Sequence, residues 1–141
     1  MAEKFQMVVT TAEDIVTARQ RGREFAHALG FAAADAILIT TAIAELAGNI
    51  LDYAVRGTLG LRRVEDGHRN GGIGIAIRAQ DDGPGIVDVQ RALLGGYSTS
   101  GRLGVGLSGV RRIMDEMTVR SGAGLGTLVI ATKWLAPRPR S

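Results

Sequence analysis

The segment AIAELAGNI, residues 42–50, lies inside a pattern that predicts one long helix from Ala34 to Ala54. Apolar residues recur there at spacings of four, three and four, as on a helix with one buried face: Ile39, Ile43, Leu46 and Ile50. Glu45 and Asn49 stand four residues apart, so their side chains share a second face of the helix. We expect this second face to lie roughly opposite the apolar stripe and to point both side chains at a ligand.

A carboxylate and a carboxamide one turn apart suit chemistry on a phosphate group. The amide oxygen of Asn49 is a ligand for Mg²⁺, which takes few protein ligands and completes its octahedron with phosphates and water. The carboxylate of Glu45 could accept a proton from a hydroxyl that attacks a γ-phosphate. The pair taken alone is also typical of the polar outer face of an amphipathic helix.

A second candidate element is Asp81-Asp82-Gly83-Pro84-Gly85, directly after an apolar strand pattern at Ile73–Gln80. An acidic side chain fixed at a strand end can accept a hydrogen bond from an exocyclic amine, and glycines let backbone approach a flat ring. Asp-Gly and Pro-Gly are also among the commonest turn dipeptides, so this element alone fits an ordinary turn.

A third element is GGYSTSGRLGVGL, residues 95–107, which runs straight into a helical pattern. Glycines there would expose successive N–H groups at a helix N-terminus, an arrangement that suits phosphate oxygens. The spacing of Gly104, Gly106 and Gly109 matches a dinucleotide motif, but no strand precedes it and no acidic residue follows at the required distance. A Walker A lysine is also absent from the sequence. The alternative is a glycine-rich loop without a ligand.

The remaining patterns place helices and strands in separate runs, which favours an α+β two-layer sandwich over alternating βαβ units. Thr10 and Glu13 resemble a capping box for a first helix that ends at Gly30, and Gly57 is expected to end the second helix. The other predicted elements are strands at Phe5–Thr11 and Thr58–Val64, a short helix at Ile86–Leu93, a helix at Val105–Met117, and a hairpin of Thr118–Ser121 with Thr127–Trp134.

The composition limits the kinds of site and partner that the chain can have. The 141 residues, 45% of them hydrophobic, suit one domain at 1–135 followed by a short basic tail at 136–141. The absence of cysteine excludes disulfides and thiolate zinc sites. The net charge of +3 comes from interleaved charges with few aromatic residues, so we expect no nucleic-acid partner. No uniform apolar run or signal peptide stands out, which predicts a cytoplasmic protein with no membrane contact.

Taken together with Gly124-Leu125-Gly126-Thr127, these elements resemble the N, G1, G2 and G3 boxes of the GHKL ATPases. The resemblance implies a Bergerat fold, a mixed and mostly antiparallel sheet covered on one face by about three helices, with ATP and Mg²⁺ under a mobile lid. By motif position, Asn49 would bind Mg²⁺, Glu45 would be the general base, and Asp81 would contact the adenine amine. The other implied nucleotide-binding positions are Gly83, Gly85, Ile86, Tyr97, Ser98, Thr99, Gly101, Arg102, Leu103, Gly104, Val105, Gly106, Leu107 and Thr127.

One branch of this family is similar to nearly the whole chain, namely the anti-sigma-factor-like serine kinases that act as stressosome switches. The similar stretches are IVTARQRGREFAHALGF, ITTAIAELAGNILDYA, DDGPGI, GYSTSGRLGVGLSGVRRIMDEM and ATKW. The resemblance implies a serine/threonine kinase that phosphorylates STAS-domain scaffold or antagonist proteins and activates a PP2C-type phosphatase. Gly48 and Arg102 depart from the branch pattern. The alternatives are an anti-sigma factor with kinase activity and a nucleotide-gated binding module with little catalysis.

Overall fold

The computed structural model describes residues 4–54, 56–66, 72–84, 106–122 and 124–135. These ranges contain five strands: β1 (Lys4–Val9), β2 (Gly57–Asp66), β3 (Gly72–Asp81), β4 (Glu116–Ser121) and β5 (Thr127–Trp134). They also contain three helices: α1 (Ala12–Leu29), α2 (Ala33–Tyr53) and α3 (Gly106–Ile113). The predicted helix at Ile86–Leu93 lies outside the described residues.

The strands form one sheet in the order β1-β2-β3-β5-β4. The resemblance implies a mixed, mostly antiparallel sheet, and every neighbouring pair of described strands is antiparallel. Two of these pairs, β2 with β3 and β4 with β5, join consecutive strands, which can pair directly as antiparallel neighbours.

One face of this sheet carries the core. Along β3, Ile75 and Ile77 are buried, whereas Arg78 and Gln80 at alternate positions are exposed. Helices α1 and α2 contact β1, β2 and β3, and α3 contacts both α2 and β4. The large side chains that are fully buried are Ile39, Ile43, Leu46, Ile50, Leu59, Leu61, Ile75, Ile77, Val9 and Val110. The two-layer α+β sandwich with three helices is therefore confirmed.

Helix α2 supplies four of those buried side chains, those of the predicted stripe. By length and composition alone, its 21 residues would be enough to cross a membrane. In this fold the stripe packs inside the domain, so the hydropathy of α2 is that of a core helix. Helix α1 approaches α2 closely at Gly22, where a Cβ atom would come within 2.1 Å of Cδ1 of Ile43.

The start of α1 lies one residue later than the sequence predicts. Thr11 is the N-cap: its hydroxyl oxygen accepts the N–H of Asp14 at 3.3 Å, and the Asp14 carboxylate accepts the N–H of Thr11 at 3.0 Å. The backbone N–H groups of Thr10 and Thr11 lower the pKa of Asp14 below its ordinary value. The predicted pair Thr10 and Glu13 was therefore wrong by one residue. The predicted stop at Gly30 is confirmed by its left-handed φ of 99°.

Two predicted helix ends also differ from the structure. Helix α2 ends at Tyr53, and Gly57 begins β2 instead of closing the helix. A Cβ atom on Gly57 would lie 2.5 Å from the carbonyl oxygen of Gln80, so this glycine is needed for strand packing. Helix α3 ends at Ile113, where the buried Lys133 side chain donates a 3.0 Å hydrogen bond to the Ile113 carbonyl. The helix therefore stops four residues before the predicted end.

We expect Thr11→Ala to reduce the free energy of unfolding by about 1 kcal/mol, because the first turn of α1 loses its side-chain acceptor. Urea denaturation followed by circular dichroism measures the difference. The matched control is Thr10→Ala, for which we expect a loss below about 0.5 kcal/mol, because the exposed hydroxyl donates only a 3.2 Å hydrogen bond to the Asp14 carboxylate and accepts no backbone N–H of α1. A larger loss for Thr10→Ala would contradict the observed cap.

Candidate functional site

One row of residues crosses the whole sheet at the end where β3 finishes. The strand register aligns Val9 with Gly57, Gly57 with Asp81, Asp81 with Thr127, and Thr127 with Ser121. In β3 and β5 this row continues the alternation of the buried residues, so the side chains of Asp81 and Thr127 lie on the helix-facing side. A carboxylate and two hydroxyls therefore meet at one edge of the core.

Asp81 is the charged centre of this row. Its Oδ1 atom accepts the backbone N–H of Gly83 at 2.9 Å, which fixes the carboxylate against the turn that follows β3. Burial raises the pKa of Asp81 above its ordinary value, and the nearby Asp82 carboxylate adds to the rise. The N–H groups of Gly83 and Thr127 act in the opposite direction by stabilising the charged form. Asp81 is thus a half-buried, oriented hydrogen-bond acceptor.

The turn after β3 packs directly on the end of α2. A Cβ atom on Gly83 would lie 2.7 Å from the carbonyl oxygen of Tyr53 and 2.9 Å from the Cβ of Ala54. Only a glycine at position 83 lets the turn lie this close to α2. The last turn of α2 therefore packs against Gly83, the residue whose N–H holds the Asp81 carboxylate. Asn49 lies one helical turn before Tyr53, so the helix delivers it to the same end of the sheet.

Glu45 and Asn49 do not lie opposite the buried stripe of α2, as the sequence had predicted. At 3.6 residues per turn they stand roughly 110° around the helix from the centre of that stripe. Both side chains are half-buried, and both have polar interactions within the protein. Beyond its first two residues, the exposed positions of the helix are Ile37, Thr41 and Asp52. Glu45 and Asn49 therefore sit at the border of the core rather than on its solvent face.

The turn between β4 and β5 closes the site from the other side. Gly126 has a φ of 74°, and a Cβ atom there would lie 2.2 Å from the carbonyl oxygen of Asp81. The Ser121 hydroxyl donates to the Gly126 carbonyl at 2.8 Å and lies 2.9 Å from the hydroxyl of Thr127. In addition, the Gly124 N–H donates to the Pro84 carbonyl at 2.7 Å. Thr127 is a site residue predicted from the sequence, whereas Ser121 is not, because it carries no motif signal of its own.

A cleft of about 430 Å³ opens at this edge. Its volume falls within the range of small-molecule sites, roughly 300–1,000 Å³. The described residues that line it are Gln80, Asp81, Asp82, Val119, Arg120, Ser121, Leu125, Thr127 and Leu128.

Two predicted lid residues, Gly106 and Leu107, form the start of α3. A Cβ atom on Gly106 would meet no atom of the described residues within 4 Å, whereas the Leu107 side chain is buried in the core. Leu107 therefore packs in the core, and its role in nucleotide binding stays a prediction. The other predicted positions lie outside the described residues: Gly85, Ile86, Tyr97, Ser98, Thr99, Gly101, Arg102, Leu103, Gly104 and Val105.

We expect Gly126→Ala to lower stability by at least about 3 kcal/mol, because the new methyl group collides with the Asp81 backbone in addition to straining φ. The matched control is Gly124→Ala, whose φ of 75° is equally left-handed but whose Cβ atom would meet no described residue within 4 Å. That control should cost only about 1–2 kcal/mol. Urea midpoints measure both changes, and equal losses would contradict the close approach to Asp81.

Comparison with known proteins agrees with this geometry. The model of the histidine kinase-like ATPase domain matches residues 8–133. The chain is 50% identical over 127 residues to serine/threonine-protein kinase RsbT of Bacillus subtilis (strain 168), a match that covers 90% of this chain and 93% of the relative.

More distant relatives are anti-sigma F factors. The protein of Thermoanaerobacter sp. (strain X514) is 31% identical over 103 residues, and that of Caldanaerobacter subterraneus subsp. tengcongensis is 32% identical over 100 residues. Each match covers 69% of this chain and 68% of the relative. The resemblance to the GHKL group is thereby confirmed, and the chain belongs to the histidine kinase-like ATPase domain family, in the group of serine/threonine protein kinases related to RsbT.

Proposed function

We propose that this serine/threonine protein kinase transfers the γ-phosphate of ATP to a hydroxyl of a STAS-domain scaffold or antagonist protein. Transfer would switch its partners, and the released kinase would activate a PP2C-type phosphatase in stress signalling. The observation that carries the proposal is the meeting of the end of α2, the Asp81 turn and the start of β5 at one edge of the core. Since the α2 stripe packs in the core, we also propose a cytoplasmic location.

The adenine end of the site would be formed by Asp81, Gly83 and Thr127. The Asp81 carboxylate is held by the Gly83 N–H, and it can accept a hydrogen bond from the exocyclic amine of adenine. Gly83 leaves no side chain between this carboxylate and the end of α2, and Gly126 allows the closing turn to approach it. The chemistry and the shape of the described residues therefore fit an adenine nucleotide.

Magnesium would be held at this site mainly by the nucleotide. Among the described residues no group of three or more histidine or acidic side chains could form a metal cage. The amide oxygen of Asn49 would supply one protein ligand, as suits an ion that keeps phosphates and waters in its octahedron. When bound, the ion supplies compensation for the charge on the transferring phosphoryl group.

Glu45 would act as general base. It lies one turn before Asn49 on the same side of α2, so the two side chains can serve the same phosphate. The substrate hydroxyl would give its proton to the Glu45 carboxylate while its oxygen forms a bond to the γ-phosphorus. The bond between that phosphorus and the bridging oxygen breaks, and ADP leaves with the electron pair.

The phosphates would lie at the start of α3. Helix α3 is fixed at its C-terminal end by Lys133, which belongs to the end of β5 remote from Thr127. We propose that its N-terminus, which begins at Gly106 among the described residues, accepts negative charge from the phosphates. We propose that Gly101 and Gly104 complete this cradle.

A second candidate function is that of an anti-sigma factor with kinase activity. It is favoured by the two relatives named anti-sigma F factor, which share 31% and 32% of their residues with this chain over the matched regions. Both functions would use the same nucleotide site. Pull-down of the tagged kinase separates them, because STAS-domain proteins should be retained under the first function and a sigma subunit under the second.

We expect Glu45→Gln to lower kcat for phosphorylation of the STAS protein at least 100-fold while leaving ATP affinity within about threefold, because only proton transfer is lost. The matched control is Asp52→Asn, which removes an exposed carboxylate from the same helix and should keep wild-type activity. Transfer of labelled phosphate measures kcat, and calorimetry measures ATP affinity. Wild-type kcat in Glu45→Gln would exclude Glu45 as the base.

We expect ATP binding to weaken as the pH falls through the raised pKa of Asp81, because only the carboxylate accepts the amine without carrying its own proton. The loss should begin at a higher pH than an ordinary aspartate would give. Asp81→Asn should bind ATP about 10–100-fold more weakly and should lack this pH dependence. Calorimetric titrations between pH 4 and about 8 measure the ATP affinity of both proteins. The same dependence of affinity on pH in wild type and Asp81→Asn would contradict the role of Asp81.

The contribution of Asp81 to the stability of the ligand-free protein should change with pH in the direction opposite to ATP binding, and should become more favourable as the pH falls. Because the pKa of Asp81 is raised by folding, the folded state binds this proton more tightly than the unfolded chain does. The carboxylate therefore costs stability at neutral pH, and the cost disappears as the pH falls. Asp81→Asn should accordingly be at least as stable as wild type near pH 7, which separates its binding defect from misfolding.

A further inference from the structure

The hairpin that closes the candidate site carries two hydroxyl groups side by side. Ser121, the last residue of β4, stands opposite Thr127, the first residue of β5. Both residues are half-buried, and both line the cleft at Asp81. The proposed function uses Thr127 at the adenine end of the site and leaves Ser121 without a role.

The two contacts of the Ser121 hydroxyl determine where its proton lies. Its oxygen is 2.8 Å from the carbonyl oxygen of Gly126 and 2.9 Å from the hydroxyl oxygen of Thr127. Gly126 is buried, and a carbonyl oxygen only accepts, so Ser121 must supply the proton of the first contact. A hydroxyl has a single proton to give. In the second contact Ser121 is therefore the acceptor and Thr127 is the donor.

This arrangement fixes the hydrogen-bonding character of Thr127. Its one hydroxyl proton is directed at Ser121, which is the hydrogen-bond partner of this hydroxyl among the described residues. The lone pairs that remain on the Thr127 oxygen can accept hydrogen bonds from a ligand. Through Ser121, the Thr127 hydroxyl is thus presented to the cleft as an acceptor.

A second acceptor lies beside it. Thr127 and Asp81 are cross-strand neighbours on the helix-facing side of the sheet, and the Thr127 backbone N–H stabilises the Asp81 carboxylate. Two adjacent acceptors match a group with two N–H bonds, such as the exocyclic amine of a 6-aminopurine. The carbonyl oxygen of a 6-oxopurine would face both acceptors without a proton to give them, and such a mismatch is what a polar site rejects most strongly.

We propose that Ser121 is a positioning residue that sets the specificity of the site for a 6-aminopurine over a 6-oxopurine. It acts through Thr127, whose hydroxyl it holds as an acceptor, and it needs no contact of its own with the nucleotide. This inference rests on the proposed function, since it takes the base of the nucleotide to lie at Asp81 and Thr127.

The test compares wild type with Ser121→Ala in their affinities for ATP and for inosine triphosphate, which has a carbonyl oxygen in place of the amine. Calorimetry with magnesium present, and without a phosphorylation substrate, measures the four Kd values. We call the inosine triphosphate Kd divided by the ATP Kd the discrimination ratio. We expect a ratio of at least about 10 for wild type and a ratio at least about fivefold lower for Ser121→Ala. The reason is that the released Thr127 hydroxyl can turn its proton toward the carbonyl oxygen.

Three further variants show whether Ser121 acts through its hydroxyl and through Thr127. Ser121→Thr keeps a hydroxyl and should keep the discrimination ratio within about twofold of wild type. The matched control Thr118→Ala, which removes an exposed hydroxyl from the same strand, should also keep it. Thr127→Val lacks the hydroxyl that Ser121 orients, so adding Ser121→Ala to Thr127→Val should not change the ratio further.

The melting temperature of each variant checks that it is folded. If Ser121→Ala does not fold, Ser121→Cys takes its place, because a thiol is of similar shape but donates only weakly. A purely structural role of Ser121 would weaken the binding of both nucleotides by the same factor. An unchanged discrimination ratio in Ser121→Ala would therefore overturn the inference.

Two other results would also overturn it. An equal fall in the ratio with and without the Thr127 hydroxyl would show that Ser121 does not act through Thr127. Equal affinity of wild type for both nucleotides would show that the site does not read the amine. Both results leave the nucleotide site itself in place, whereas failure of wild type to bind either nucleotide would contradict the proposed function and the inference together.

Discussion

The packing of α2 against the sheet is the interaction on which the rest of the structure depends. Its stripe of Ile39, Ile43, Leu46 and Ile50 is fully buried and joins the helical layer to β1, β2 and β3. The same contact fixes where the helix ends, and Gly83 and Gly57 let the adjoining backbone approach that end. One apolar interface thus determines both the stability of the domain and the position of its polar residues.

The proposed site is built from backbone constraints more than from side-chain contacts. Asp81 is held by the Gly83 N–H, Gly83 is pressed against the Tyr53 carbonyl, and Gly126 passes over the Asp81 carbonyl. Each of these approaches excludes a Cβ atom, which is why glycine occurs at these turns. A carboxylate held in this way needs little rearrangement before it binds a ligand, and that is the property expected of a recognition site.

Most of the architecture could be predicted from the sequence, because apolar periodicity and glycine turns determine it locally. The long stripe of α2, the stop at Gly30 and the final hairpin were all visible in the pattern. The exact ends of the helices could not be predicted. Thr11 rather than Thr10 caps α1, and the sequence cannot distinguish them because neighbouring threonines present the same local signal. The antiparallel pairing of the described strands and the end of α3 at Ile113 depend on tertiary contacts, and the second involves Lys133 from β5.

The candidate site also contains residues that the sequence predicts and residues that only the structure shows. Asp81, Asn49 and Thr127 could be selected by motif, but Ser121 entered only through its register with Thr127, which the sequence does not display. The position of Glu45 and Asn49 at the border of the core also required the packing of α2.

In the proposed function, the end of α2, the Asp81 turn and the start of β5 form one magnesium-nucleotide pocket. Amide NMR during titration with a non-hydrolysable ATP analogue tests it most directly. We predict that the side-chain amide of Asn49 and the backbone amides of Gly83 and Thr127 shift together in one saturable, magnesium-dependent transition. Absence of any shift, or shifts confined to other surfaces, would contradict the account.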